Sequence, residues 1–255
     1  MPRAPGVRLR IRLVRKRAFG VSTRLFRGER LTRDHLLEIA AHGFEAVEVA
    51  IGSGHFEPAH EAAVADLQQW LAEAQLDLHA VAAAGPDEPQ QEQALTIARR
   101  IPVGVLVLPV GAPKSASKTV ERLAAVAEPL GVTLAIDSRS PSMTPIGSLV
   151  SFVERCEGRV GIALDFAGAA RGGGLVDAIE MTSEHLAAAR VPAESAIDWS
   201  SAMTTIQKVG YEGPFIVDVA GNGVGLRAAG ASGLKAALAS ARSAREKMER
   251  WLTST

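Results

Sequence analysis

Four acids, Glu48, Asp137, Asp165 and Asp218, each stand at or near the end of a short apolar run. Carboxylates brought together in this way suit a hard divalent cation such as Mg²⁺ or Mn²⁺, and without one they repel each other. Taken singly, an acid in such a position caps the following helix or pairs with an arginine. All four together point to a polar functional mouth. His55 follows the second run and Arg190 stands near the end of the seventh, so both are candidate ligand contacts at the same rim. Two glycine-rich segments lie nearby in sequence. One is Arg171-Gly172-Gly173-Gly174, and the other runs from Gly221 through Gly223 to Arg227. Backbone N–H groups in such loops cradle phosphate, with Arg227 as counter-charge; the alternative is a pliable loop in a chain rich in alanine and glycine.

The elements that must position these residues alternate strictly. Apolar runs occur at Phe19–Ser22, Phe44–Val49, Leu76–Ala82, Val103–Pro109, Val132–Asp137, Val160–Asp165, Leu186–Val191 (the weakest) and Phe215–Val219. They are nearly continuous in apolar residues, as parallel strands covered on both faces require. Helical patterns separate them. Val64, Leu67, Leu71 and Ala74 share one helix face, as do Val120, Leu123, Ala127 and Leu130. Thr144-Pro145 reads as an N-cap followed by a first-turn proline, with Ile146, Val150 and Val153 turned inward. Gly43, Gly131 and Gly210 each end a helix before a strand. The last helix carries Leu234, Leu238, Ala241, Ala244, Met248 and Trp251 on one face. Eight strands each followed by a helix predict an α/β fold, a single (β/α)₈ TIM barrel over 18–255, with chemistry at the carboxyl ends of the strands. An open doubly wound sheet predicts a dinucleotide glycine turn after the first strand, and Ser22-Thr23-Arg24-Leu25 is not one.

Composition narrows the function classes. The chain has 255 residues, 47% of them hydrophobic, with no apolar run long enough to span a membrane. Its one cysteine, Cys156, excludes an internal disulfide and any multi-cysteine metal site, and a reduced cytoplasmic setting is expected. The zero net charge hides an asymmetry. Seven basic residues and no acids occupy 1–17, leaving 21 basic against 28 acidic residues in the body. A negative body disfavours nucleic acid as a partner. The basic segment 1–17 is expected to be a disordered or mis-started extension.

Those blocks carry a resemblance. FGVSTRLFRGERLTRDHLLEIAAHGFEAVEVA (19–50) is similar to the opening of the xylose-isomerase-like TIM-barrel superfamily of sugar (phosphate) isomerases and epimerases. GVTLAIDSRSPS, GRVGIALDFAGAARGGGLVDAIEMTSEHL and AIDWSSAMTTIQKVGYEGPFIVDVA continue it to Ala220. The resemblance implies a divalent metal held by a strand-five Glu, a strand-six Asp, a His and a strand-eight Glu, the two glutamates also moving the substrate proton. Carried onto this sequence, the glutamates become Asp137 and Asp218, each one methylene shorter, and the aspartate is Asp165. The histidines are missing: Asp165-Phe166-Ala167-Gly168-Ala169-Ala170 replaces a DFGHAH-like segment. Ala82 and Leu108 stand where the strand-three and strand-four histidines fall, and Arg190-Val191-Pro192-Ala193 replaces an HVHD-like strand end.

Three readings follow. The first is an isomerase or epimerase of a small sugar or sugar phosphate, with Asp137 and Asp218 transferring the proton. In it Asp137, Asp165 and Asp218 hold the metal, and Glu48, His55, Arg190, Gly221, Gly223 and Arg227 contact substrate. The second is a non-catalytic ligand-binding or partner-regulating barrel with an eroded metal site, in which Arg190 partly replaces a cation before Asp165. The third, an abasic-site endonuclease, needs a histidine-rich metal cluster that this chain lacks.

Overall fold

The computed structural model describes residues 19–58, 61–86, 88–111, 113–140, 143–157, 159–193, 197–219 and 223–253. The basic segment 1–17, His60 and Gly221 lie outside them.

Eight parallel strands close into a barrel in chain order. They are β1 (Phe19–Ser22), β2 (Ala46–Ile51), β3 (Asp77–Ala83), β4 (Val105–Leu108), β5 (Thr133–Asp137), β6 (Val160–Asp165), β7 (Leu186–Pro192) and β8 (Phe215–Asp218). Closure is made by β1 and β8, with Phe19, Gly20 and Val21 opposite Phe215, Ile216 and Val217. Around them lie α1 (Arg33–Ala41), α2 (Glu61–Ala74), α3 (Glu88–Ala98), α4 (Pro113–Ala127), α5 (Ile146–Glu154), α6 (Phe166–Arg171), α7 (Leu175–Thr182), α8 (Trp199–Lys208) and α9 (Gly223–Thr253). No described helix is long and apolar enough to cross a membrane.

The strands sort their side chains by alternation. Outward residues such as Val47, Val49, Val81, Leu106, Leu134, Ile136, Ile162, Leu164 and Val217 join the large core beneath the helices. Inward residues form a separate, smaller cluster: Ala80, Ala82, Val105, Val107, Ala135, Ala163, Ala188 and Ile216. Each inward residue sets the parity of its strand. Two positions beyond Ala135, Ala163, Ala188 and Ile216 come Asp137, Asp165, Arg190 and Asp218, so those four side chains stack on the inner layer at the C-terminal end. The alanine-rich interior leaves lateral room for large charged groups above it.

Most helix faces match the sequence pattern. Val64, Leu67, Leu71 and Ala74 are buried on α2, and Gly43, Gly131 and Gly210 all take positive φ (80°, 73° and 68°). Four details differ. Leu130 and Trp251 are exposed rather than buried, because α4 gives way to a short 3-10 turn and Trp251 lies in the final turns of α9. The α5 N-cap is Pro145, joined to Thr144 by a cis peptide, and its buried face is Leu149, Phe152 and Val153. β2 runs on to Ile51, so Glu48 stands inside the strand rather than at its end.

Candidate functional site at the barrel mouth

The inward charges do not stand as a bare ring of acids. Each of three carboxylates is met by a guanidinium. Deepest is Glu48 on β2, fully buried, which accepts from Arg190 Nη1 at 2.8 Å and also from Arg190 Nη2. Arg190, on β7, is itself 1% exposed. The pair therefore crosses the barrel between strands that are not neighbours. Ser22 Oγ, at the end of β1, donates to Glu48 Oε1 at 2.7 Å and fixes its second face. Burial alone would push the Glu48 carboxyl up. Arg190, Arg24 and the Ser22 hydrogen bond outweigh it and hold the group below its usual range. Among the described residues Arg190 Nε has no acceptor.

Above this pair sits Arg139, in the loop after β5. Its Nε and Nη2 engage both oxygens of Asp137, at 3.0 and 3.2 Å from Nε and 2.7 Å from Nη2. The Arg139 backbone N–H donates to Asp137 Oδ1 at 3.0 Å. The third arm, Nη1, reaches across the mouth to Asp218 Oδ2 at 3.0 Å. Arg190 Nη1 approaches the same Asp218 oxygen at 3.8 Å. Asp137 is buried, which by itself raises a carboxyl, but Arg190 and the Arg139 contacts drive it well below its ordinary value. Arg139 is held correspondingly more basic.

Asp165, at the end of β6, has no such partner among the described residues. Its Oδ2 caps α6 by accepting from Gly168 N at 3.1 Å, and its own N–H donates to Ser138 Oγ. Burial raises its pKa, and Arg139 only partly offsets this. A Cβ at Gly168 would lie 2.7 Å from Asp165 Oδ2, so a larger residue there would turn the carboxylate away from its cap.

On the other side of the mouth, Arg24 follows β1 in a 3-10 turn capped by Ser22 Oγ. Desolvation and the positive field of Arg190 lower its pKa to about 10, although Glu48 and Asp137 pull it upward. Among the described residues its guanidinium has no hydrogen-bond or ion-pair acceptor.

His55 is buried, but it serves the loop after β2: its ring contacts Glu29 O at 2.8 Å and Thr23 Oγ1 at 3.1 Å. Burial lowers its pKa, favouring the neutral ring. Gly223 and Arg227 lie in the first two turns of α9, with the Arg227 side chain outside the described part. Among the described residues no three His, Cys, Asp or Glu form a group able to hold a metal ion. Cys156 lies just past α5, and burial raises its thiol pKa. Thus the fold brings together Glu48, Asp137, Asp218 and Arg190, with Asp165 at the edge.

Sequence reasoning missed Arg139 and Arg24. Each lies two residues beyond the end of an inward-facing strand, at Asp137-Ser138-Arg139 and Ser22-Thr23-Arg24. An arginine at that offset is long enough to fold back over the mouth, and that spacing was the available signal.

Comparisons with known proteins agree on the scaffold. No curated protein matches the sequence. Among solved structures, a D-psicose 3-epimerase determined in the presence of D-fructose superposes with a TM-score of 0.73 at 16% identity, covering 92% of this chain and 99% of that one. A D-tagatose 3-epimerase-like protein gives 0.71 at 17% identity, over 92% and 97% of the two chains. A xylose isomerase-like TIM barrel protein from Mycobacterium smegmatis, in complex with magnesium, gives 0.73 at 12% identity, over 93% and 97%. Identities this low establish the shared fold. The family profile described as xylose isomerase-like TIM barrel matches residues 36–252, nearly the whole barrel, and the chain belongs to that family.

Proposed function

We propose that this chain binds a small carbohydrate at the C-terminal mouth of its barrel, with Arg139 standing in for the divalent cation of a metal-dependent isomerase. The observation that carries the reading is the fork of Arg139, whose three nitrogens hold Asp137 and Asp218 at once. Those are two of the three acids that the resemblance assigns to a metal. A divalent ion needs their free oxygens at short, fixed distances. Here it would have to displace a guanidinium that already satisfies both carboxylates and lies among two further arginines. The donor set does not fit the ion.

The same contacts argue against Asp137 as a proton-transfer base. A carboxylate held far below its usual pKa by a bidentate guanidinium is a poor proton acceptor. Carbohydrate binding is supported by the sugar epimerases among the structural neighbours and by the polar groups converging on the mouth of an otherwise apolar barrel.

Calorimetric titration of Mn²⁺ and Mg²⁺ into the purified chain, beside an Asp165→Ala variant, tests the metal half. The expected result is no stoichiometric binding at millimolar metal. Stoichiometric binding that is lost in Asp165→Ala would overturn it. Titration of D-fructose and other ketoses and aldoses tests the sugar half, with saturable binding expected. A second reading, a metal-free isomerase, rests on Asp165, a mouth acid without a guanidinium of its own and with a raised pKa. Turnover of a sugar abolished by Asp165→Asn would favour it.

A further inference from the structure

The charges of the mouth pair off with two groups left over. Glu48 is matched by Arg190, and Asp137 and Asp218 share Arg139. Among the described residues, Arg24 is left as a cation without an acceptor and Asp165 as an acid without a paired cation. They stand far apart on the rim. Arg24 follows β1 and Asp165 ends β6, three strands away round the barrel through β8 and β7. Glu48 and Asp137, the two acids that act on Arg24, each already hold another guanidinium, so their attraction is largely spent.

An arginine in this position is unlike the exposed arginines of the helix surfaces. It is partly buried, sits directly beyond the end of β1 and lies in the positive field of Arg190 and Arg139. Five N–H donors in a planar fork match a carboxylate in two parallel hydrogen bonds. A singly charged, planar group is favoured over a phosphate dianion, because Asp165, the mouth acid without a guanidinium contact among the described residues, repels the second charge.

From this juxtaposition we propose that the mouth takes a small hydroxycarboxylate, a sugar acid, with its carboxylate on Arg24 and its hydroxyl-bearing end toward Asp165. The proposal rests on the carbohydrate reading of this same site and adds the charge of the ligand. At the far end, Asp165 offers an acceptor to a hydroxyl. Neutral sugars fill the hydroxyl contacts but leave Arg24 without an acceptor, at the cost of an unpaired, partly desolvated donor group.

The test uses matched pairs titrated into the full chain: glycerate with glycerol, xylonate with xylose, gluconate with glucose, and inorganic phosphate and glucose 6-phosphate beside them. At least one acid should bind tenfold or more tightly than its neutral partner. Arg24→Met should abolish that tenfold difference through loss of affinity for the acid, and Arg24→Lys should restore part of it. Circular dichroism melting confirms that the variants fold, and Arg24→Gln serves as a second neutral substitution. Equal binding of acid and neutral partner, or an acid preference untouched in Arg24→Met, overturns the proposal while the carbohydrate reading stands. Tighter binding of glucose 6-phosphate than of any sugar acid, lost in Arg24→Met, overturns the carboxylate assignment. Binding of neither acids nor sugars overturns both. Acid preference extending equally to non-sugar carboxylates such as acetate supports the Arg24 site and removes the carbohydrate reading.

Discussion

Arg139 Nη1 and Asp218 Oδ2 lie 3.0 Å apart across the barrel mouth, although 79 residues separate them in the chain. The bond ties the loop after β5 to the end of β8, on the far side of the barrel. Replacing Arg139 by Met leaves Asp137 buried without its hydrogen-bonded guanidinium and leaves Asp218 only the 3.8 Å contact with Arg190. Stability at pH 7 should fall by about 3 kcal/mol, since one member of a largely buried ion pair is removed. The acids then form a carboxylate cluster, and Mn²⁺ binding should appear where none is expected of the parent chain. Urea unfolding and calorimetry measure the two effects.

Glu48 and Arg190 are more deeply placed, and Glu48→Gln should cost about 3–5 kcal/mol because it leaves a guanidinium uncompensated in the barrel. The double variant Glu48→Met with Arg190→Met should cost much less than the sum of the single changes. A double-mutant cycle in denaturant measures the coupling. An additive result would mean that the pair is not interacting as described.

Two aspartates respond to acid with opposite sign. Asp137 is held below its unfolded value, so it adds stability above about pH 4, which is lost as pH falls through its folded pKa. Asp137→Asn should therefore cost stability at pH 7 and progressively less below pH 4. Asp165 is raised by burial, so its ionised form weakens the fold above its folded pKa. Asp165→Asn keeps a good helix cap and should raise the melting temperature at pH 7, with the gain vanishing below about pH 4. Melting curves from pH 3 to 8 give both profiles.

Gly161, on β6, allows a close approach to β7. A Cβ there would lie 2.7 Å from Ala187 Cβ and 2.8 Å from His185 O, neither of which can swing away. Gly161→Ala should destabilise the barrel by about 1–3 kcal/mol. Thermal unfolding with an unchanged far-ultraviolet spectrum would confirm a local packing effect.

The barrel was legible in the sequence because its cause is local. Each apolar run is short and near-continuous, each helix has a buried stripe, and Gly43, Gly131 and Gly210 end helices at left-handed turns. Repeated eight times, that pattern leaves few ways to bury both faces of a parallel sheet. Boundaries were less legible. β2 continues past Glu48 to Ile51, since Ala50 and Ile51 prolong the apolar run and nothing in the chain marks a stop.

The sequence by itself determined which acids face the mouth, because strand alternation sets Asp137, Asp165 and Asp218 two residues beyond inward Ala135, Ala163 and Ile216. Only the tertiary structure decided what those acids do. Arg190 was expected to stand before Asp165; instead it plunges to Glu48, and Arg139 takes the place above it. No sequence spacing specifies these pairings, since they join residues 142 and 79 positions apart. They arise because barrel closure brings strands β2, β5, β7 and β8 to one small opening, where a long guanidinium side chain pairs with whichever carboxylate burial has deprived of water.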